Sequence, residues 1–450
     1  MSQTSDSLPP GELLTAKELE IRRLGPCSVP SPFLGLDKGF VEDADRILAY
    51  SDISTVEQLT ATGSPLPSFA IAGPRTQIYF RPEETTCALV TCGGLCPGLN
   101  DVIRSIVLTL NHGYGVRRIL GFRYGYAGLS PHGFSEPMLL DPASVEHIHM
   151  HGGTLLGSSR GPQDVGEMVD TLLNWRVRIL FAIGGDGTLR GASALVEEIT
   201  RRNLKIAVIG IPKTIDNDLA WIERSFGFST AVGEARGAIA AAHAEARAAW
   251  NGIGLVKLMG RHSGFITAYA TLASGDANFC LIPEVSFSLE GGFLDILHER
   301  LNARHHAVIV VAEGAGQELI EAETDGEQER DASGNLQLKE IGFFLRERIE
   351  TYLKGRGMPM SIKYIDPSYM IRSLPANSMD SGFCLILGQH AVHAGMAGCT
   401  DMLIGYWNDR FTLVPMNLAT GQRKQIDPQG EIWQRVLGTT GQPVRMRSAT

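Results

Sequence analysis

Gly210-Ile211-Pro212-Lys213-Thr214-Ile215-Asp216-Asn217-Asp218 follows directly on the apolar run Ala207-Val208-Ile209. That run reads as a buried strand, and two carboxylates and an amide crowd its carboxyl end. Open α/β sheets place their ligands at that end of the strands. An aspartate there can accept a proton from a hydroxyl, or hold Mg²⁺ beside phosphates in transfer. The competing reading is a turn whose aspartates cap their own backbone. The strand-end position and the Thr214 hydroxyl, two residues before Asp216, weigh against it.

Strands alternate with helical stretches on both sides of this segment. From residue 86 onward the pattern predicts strands at 87–91, 118–122, 179–183 and 205–210, separated by helices at 100–111, near 145, at 167–175 and at 189–201. After residue 228 the pattern resumes. Helices are expected at 231–250, 264–273, 292–302, 341–353 and 377–397, with strands at 253–258, 279–282, 307–312, 360–364 and 402–407. Such alternation implies a mostly parallel sheet with right-handed crossovers. Residues 318–339 are acidic and read as a solvated loop. The first 84 residues are polar and punctuated by proline. They read as an extension that wraps a neighbour, with short helices around 16–24 and 41–50.

A length of 450 residues suggests two or three cores. Net charge is −9 and no Lys/Arg cluster dominates, which argues against a nucleic-acid binder. Seven scattered cysteines fit a reduced, cytoplasmic protein. No stretch is long and apolar enough to span a bilayer.

Three further segments carry phosphate chemistry. Gly184-Gly185-Asp186-Gly187-Thr188 sits at a strand end, where glycines admit a polyphosphate and Asp186 offers a hard oxygen for Mg²⁺. The bland alternative is a helix cap. Gly93-Gly94-Leu95-Cys96-Pro97-Gly98 joins a strand to a helix and is equally a tight turn or an anion cradle. Gly157-Ser158-Ser159-Arg160-Gly161-Pro162 presents an arginine among small residues. Met259-Gly260-Arg261 and Glu313 end other expected strands, and Tyr369-Met370-Ile371-Arg372 sets a phenol three residues from a guanidinium.

Collectively these segments resemble the ATP-dependent 6-phosphofructokinases, over roughly residues 85–410 and in unbroken order. The wording of GGLCPGLN, LGSSRGP, GGDGT, PKTIDND, MGR and YIDPSYMIR is most similar to the plant and trypanosomatid variety. The resemblance implies two Rossmann-like three-layer α/β halves with a cleft between them. Residues 85–227 with 372–410 would form the ATP-binding half and 228–371 the sugar-phosphate half, with 1–84 and 411–450 as extensions.

By position, the resemblance implies Asp216 as general base on the fructose 6-phosphate 1-hydroxyl. Thr214 would contact the transferred phosphoryl group, with Arg160 and Arg261 as further catalytic residues. The ATP site would comprise Gly94, Tyr126 (stacking on adenine), Arg160, Gly161, Gly185, Asp186, Gly187 and Thr188, with Asp186 holding Mg²⁺. The sugar phosphate would meet Thr214, Ile215, Asp216, Met259, Gly260, Arg261, Glu313, Lys363, Tyr369, Met370, Ile371 and Arg372. Lys363 would approach the 6-phosphate, in this subunit or a neighbouring one. Gly187 and Lys213 bear on the donor: glycine goes with ATP, whereas a lysine beside Thr214 is also found in pyrophosphate users. Gly252 stands where the bacterial allosteric enzymes place a substrate arginine.

The resemblance further implies the partners fructose 6-phosphate and ATP, and a homo-oligomer, dimer or tetramer. Three alternatives remain. One is a pyrophosphate-dependent phosphofructokinase, one a catalytically silent sugar-phosphate-binding regulatory subunit, and one a lipid or NAD kinase resting on GGDGT alone.

Overall fold

Ala207–Pro212 is a fully buried strand and the central member of a nine-stranded sheet. The chain is described by a computed structural model over residues 13–35, 39–131, 136–322 and 337–447. Val177–Gly184 and Met402–Trp407 flank the central strand in parallel, and Thr86–Thr91 and Arg118–Gly121 extend the parallel set. Antiparallel strands close both sides: Met138–Leu139 on one, and Arg410–Pro415, Ser68–Ile71 and Arg46–Leu48 on the other. A second, smaller sheet is wholly parallel, in the order Phe279–Leu281, His306–Ala312, Gly252–Leu258, Ser361–Ile365.

Strand side chains alternate between faces, so a sheet buried on both sides feeds two cores. Cys87, Leu89, Ile179, Phe181, Ile209 and Ile211 enter one core, whereas Ala88, Val90, Leu180, Ala182 and Val208 enter the other. The first core is shared with the small sheet through Val256, Leu258, Val308 and Val310. Between the sheets runs the helix Phe228–Ala248, which buries Ala231, Ala235, Ile239, Ala242 and Ala246. Its alanines let backbone approach backbone. A Cβ at Gly252 would lie 2.0 Å from the Ala246 carbonyl oxygen, so glycine is required there. That contact is the physical reason no arginine stands at 252.

The N-terminal region differs from expectation in its elements. Residues 41–50 hold the strand Arg46–Leu48 rather than a helix, and the segment at 16–24 is helical only over Ala16–Leu19. Ile53–Ala61 is a helix, capped by Asp52 accepting the Thr55 N–H. The described part of this region packs Leu19, Tyr50 and Phe69 into the chain's own second core. There Phe69 and Tyr50 meet the Trp221 ring. At the other end Trp433, Val436 and Leu437 of the helix Glu431–Thr440 pack on Phe265 and Ile282 of the small-sheet half. Most of the acidic 318–339 stretch lies outside the described residues. No described helix is long and apolar enough to cross a membrane.

Candidate active site

Parallel register aligns the strand ends. Ile183 pairs with Ile211 and Gly184 with Pro212, so the Gly184–Gly187 turn and the loop beginning at Lys213 lie side by side. In the small sheet Leu258 pairs with Ala312, and the Glu313 N–H donates to the Leu258 carbonyl at 2.9 Å, which sets Met259 beside Glu313. The carboxyl ends of both sheets face one cleft of about 1100 Å³.

The loop after the central strand is tightly specified. Asn217 takes a left-handed conformation, φ +55°, which asparagine tolerates better than most residues. Its side chain donates to the Glu223 carbonyl at 3.1 Å and accepts from the Ser225 N–H at 2.9 Å. The Thr214 hydroxyl donates to Asp218 Oδ1 at 2.8 Å and accepts from the Asp216 N–H at 3.3 Å. Asp216 and Asp218 both line the cleft, Asp218 with one oxygen tied to the Thr214 hydroxyl.

On the large-sheet side the cleft is lined by Gly94, Tyr126, Arg160, Gly161, Gly185, Asp186, Gly187, Thr188 and Lys213. Two loops about 65 residues apart are latched here: Ser158 Oγ donates to the Gly93 carbonyl at 2.6 Å, and the Gly93 N–H to the Ser159 carbonyl at 3.1 Å. The buried Lys213 ammonium donates to the Gly94 carbonyl at 2.7 Å, so it braces the glycine turn. Asp186 opens the helix Asp186–Arg201, three residues before the expected start. A carboxylate is favoured at that helix end. Tyr126 lines the cleft with little exposure, its hydroxyl donating to the Thr188 carbonyl at 2.6 Å.

On the small-sheet side the lining includes Met259, Arg261, Glu313, Tyr369 and Arg372, and the loop after the central strand adds Thr214, Ile215 and Asp216. The Arg372 guanidinium lies 4.6 Å over the exposed Tyr369 ring. Four expected sugar-phosphate residues do not line the cleft. The Gly260 carbonyl accepts the Gly314 N–H at 3.0 Å. Ile371 is buried in the first core, Met370 is exposed elsewhere, and Lys363 is exposed on the edge strand of the small sheet. One turn of the helix Ser368–Arg372 turns residues 370 and 371 away from the face shared by 369 and 372.

Charge in the cleft is arranged around Asp216. Burial pushes its carboxyl well above the usual range, and the Asp218 and Glu313 carboxylates add to the rise. Burial also raises Glu313, opposed by Lys257, Arg261 and Arg372. For Lys213 burial lowers the pKa, opposed by the Asp216 carboxyl.

Three cations of the cleft were not expected from sequence, Arg190, Lys257 and Arg423, the first pairing with Asp186 at 2.7 Å. Lys257 ion-pairs with Glu340 and Asp366, both at 2.8 Å; a lysine inside the otherwise apolar strand Gly252–Leu258 was the available signal. Arg423 reaches in from the C-terminal tail to Asp218 Oδ2 at 2.7 Å and Asp186 Oδ2 at 3.2 Å, and nothing local marks it.

Asp186 suits a metal. Its Oδ1 is buried with no hydrogen-bond partner among the described residues, and Asp218 is near enough to share its guanidinium. The described residues hold no cluster of three or more His, Cys, Asp or Glu placed for a metal. A pair of carboxylates matches an ion such as Mg²⁺, which completes its shell with phosphate oxygens and water.

A phosphofructokinase family model matches residues 86–395. The chain belongs to the phosphofructokinase family. Among the similar proteins is the ATP-dependent 6-phosphofructokinase of Borreliella burgdorferi, 51% identical over 84% of this chain and 86% of that one. The ATP-dependent 6-phosphofructokinase of Amycolatopsis methanolica is 48% identical over 95% of both chains. That of Trypanosoma cruzi is 50% identical over 82% of this chain and 76% of its own. A crystal structure of the pyrophosphate-dependent phosphofructokinase of Marinobacter aquaeolei shares the phosphofructokinase fold. It superposes with a TM-score of 0.64 at 19% identity, over 79% of this chain and 91% of that one.

Proposed function

We propose that this chain is an ATP-dependent 6-phosphofructokinase, transferring the γ-phosphoryl group of ATP to the 1-hydroxyl of fructose 6-phosphate in glycolysis. The observation that carries the reading is the placement of Asp216. Its carboxyl stands between a glycine-walled donor side ending at Asp186 and a cationic acceptor side formed by Arg261 and Arg372. In this assignment Asp216 takes the 1-hydroxyl proton as the oxygen attacks the phosphorus. Thr214 and Arg160 face the phosphoryl group in flight, Arg160 opposing its charge. Gly94, Gly161, Gly185, Gly187 and Thr188 form the ATP cradle, and Tyr126 walls it. Arg261, Arg372 and Tyr369 hold the sugar phosphate while Glu313 accepts from its hydroxyls. Mg²⁺, held by Asp186 with Asp218 nearby, would neutralise the polyphosphate. The residues 85–227 with 372–410 are assigned to ATP and 228–371 to the sugar.

Catalysis would rest mostly on positioning and charge neutralisation, with the base contributing roughly 10²–10⁴-fold. A dimer or tetramer is proposed, in which Lys363, exposed and outside this cleft, is available to a neighbouring subunit. A cytoplasmic location is proposed on the seven unpaired thiols, six of them buried.

Purified protein given fructose 6-phosphate with ATP, and separately with pyrophosphate, tests the reading: fructose 1,6-bisphosphate should form with ATP. No product with ATP would overturn it. The acceptor side has its own test. Arg372→Ala should raise the fructose 6-phosphate KM about tenfold to a hundredfold, the loss of a charge-assisted contact worth roughly 1.5–3 kcal/mol, and leave the ATP KM nearly unchanged. A change confined to the ATP KM would move Arg372 to the donor side.

A further inference from the structure

Residues 422–427 cross the cleft from one half to the other. On the large-sheet side Arg423 bridges Leu219, the Lys424 N–H donates to the Asp218 carbonyl at 2.9 Å, and the buried Lys424 ammonium donates to the Ile222 and Glu223 carbonyls at 2.8 and 3.1 Å. On the small-sheet side Gln425 donates to the His262 carbonyl at 3.0 Å. The Ile426 N–H donates to the Glu284 carboxylate at 2.9 Å, which also accepts the Gly264 N–H. This stitching fixes the backbone at 423 and delivers its guanidinium between two carboxylates from separate strand-end loops. Nη1 donates to Asp218 Oδ2 and Nη2 to Asp186 Oδ2. Arg190 grips the same Asp186 oxygen at 2.7 Å from its own helix.

We infer that Arg423 is an internal placeholder for the divalent cation, neutralising Asp186 and Asp218 until metal arrives with the nucleotide. The inference rests on the metal role proposed for Asp186. Two carboxylates beside Asp216 repel one another, and a guanidinium spanning both relieves that repulsion. Mg²⁺ needs oxygens at about 2.0–2.1 Å in a near-octahedral shell, so it cannot share the space between them with Arg423. Metal alone must displace the guanidinium from both carboxylates and shed part of a tightly held hydration shell with no phosphate ligands to replace it. Metal on a polyphosphate brings its own ligands, and its anionic oxygens offer the displaced guanidinium a new partner. Arg423 is therefore a positioning residue that couples metal entry to nucleotide entry.

The test is equilibrium binding of Mn²⁺ to the full chain without nucleotide, read by the free-ion electron paramagnetic resonance signal. It needs no turnover, so it stands apart from the assay of the proposed activity. Arg423→Gln should bind Mn²⁺ at least about tenfold more tightly than the native protein, the scale of a typical coupling between two ligands. Arg423→Lys, which keeps a cation, should stay within a fewfold of native, and it remains informative should Arg423→Gln fail to fold. Asp186→Asn with Arg423→Gln should lose the gain. The thermal midpoint of Arg423→Gln should fall without metal and recover on adding Mn²⁺. Equal affinities in native and Arg423→Gln protein would overturn the inference, as would much tighter binding by Arg423→Lys or a gain that persists in the double variant.

Discussion

Asp216→Asn should lower turnover by at least ~10²-fold while fructose 6-phosphate still binds. Asparagine keeps the shape and the N–H contact to the Thr214 hydroxyl but has no affinity for the proton that must leave the attacking oxygen. The same substitution should not destabilise the fold. Asp216 is half-buried in the cleft wall near the Asp218 and Glu313 carboxylates, and desolvation and both charges disfavour its ionised form, so a neutral residue relieves the conflict. Native-like or raised thermal stability with lost turnover is the expected pair, the usual relation between a strained catalytic site and stability. Native-like turnover would remove Asp216 as the base. Unfolding would show instead that the carboxyl holds the loop together.

Gly187→Asp should cut kcat/KM for ATP by at least ~10²-fold, since a fixed negative charge in the donor space repels the triphosphate and occupies its room. The structure makes this a clean substitution. A Cβ at 187 meets nothing within 4 Å, so the side chain enters open cleft without disturbing packing. The position also lies in the first turn of the helix Asp186–Arg201, where an added carboxylate is favoured. Lys213 points the other way, toward pyrophosphate, but its ammonium is spent on the Gly94 carbonyl. Adding Lys213→Gly to Gly187→Asp should therefore not restore ATP use. Robust native turnover with pyrophosphate and none with ATP would reverse the donor assignment.

The alternation of apolar strands with helical stretches was readable because the inner strands are buried on both faces and so are nearly continuously apolar. Phe181 and Ala182 go to opposite cores, yet neither can be polar. The cleft-lining loops were readable for a related reason: Gly185, Asp186, Thr214 and Asp216 sit within a few residues of strands whose ends the sequence marks. Sequence was silent where a contact is made by a segment with no such mark. The strands Arg46–Leu48 and Ser68–Ile71 are short, at the margin of the sheet, and chosen by the edge they complete. The helix Ile53–Ala61 carried a usable signal in the Asp52 cap, which the polar character of the region obscured. Met370 and Ile371 share a motif with Tyr369 and Arg372, but adjacency in sequence is not adjacency on a helix face.

The sequence by itself determined the parallel α/β architecture, the strand-end positions of the phosphate-handling residues and the family. All three are written in local patterns: apolar runs, glycine turns and a dense carboxylate loop. Only the tertiary structure decided that the Lys213 ammonium closes on a carbonyl 119 residues away and that Gly252 must lie flat against a helix. It alone brought Arg423, 205 residues beyond Asp218, to complete the charge balance of the cleft. A guanidinium in a polar tail has no pattern to distinguish it. Its partners are set by where the backbone passes, and that path is fixed by the packing of both halves.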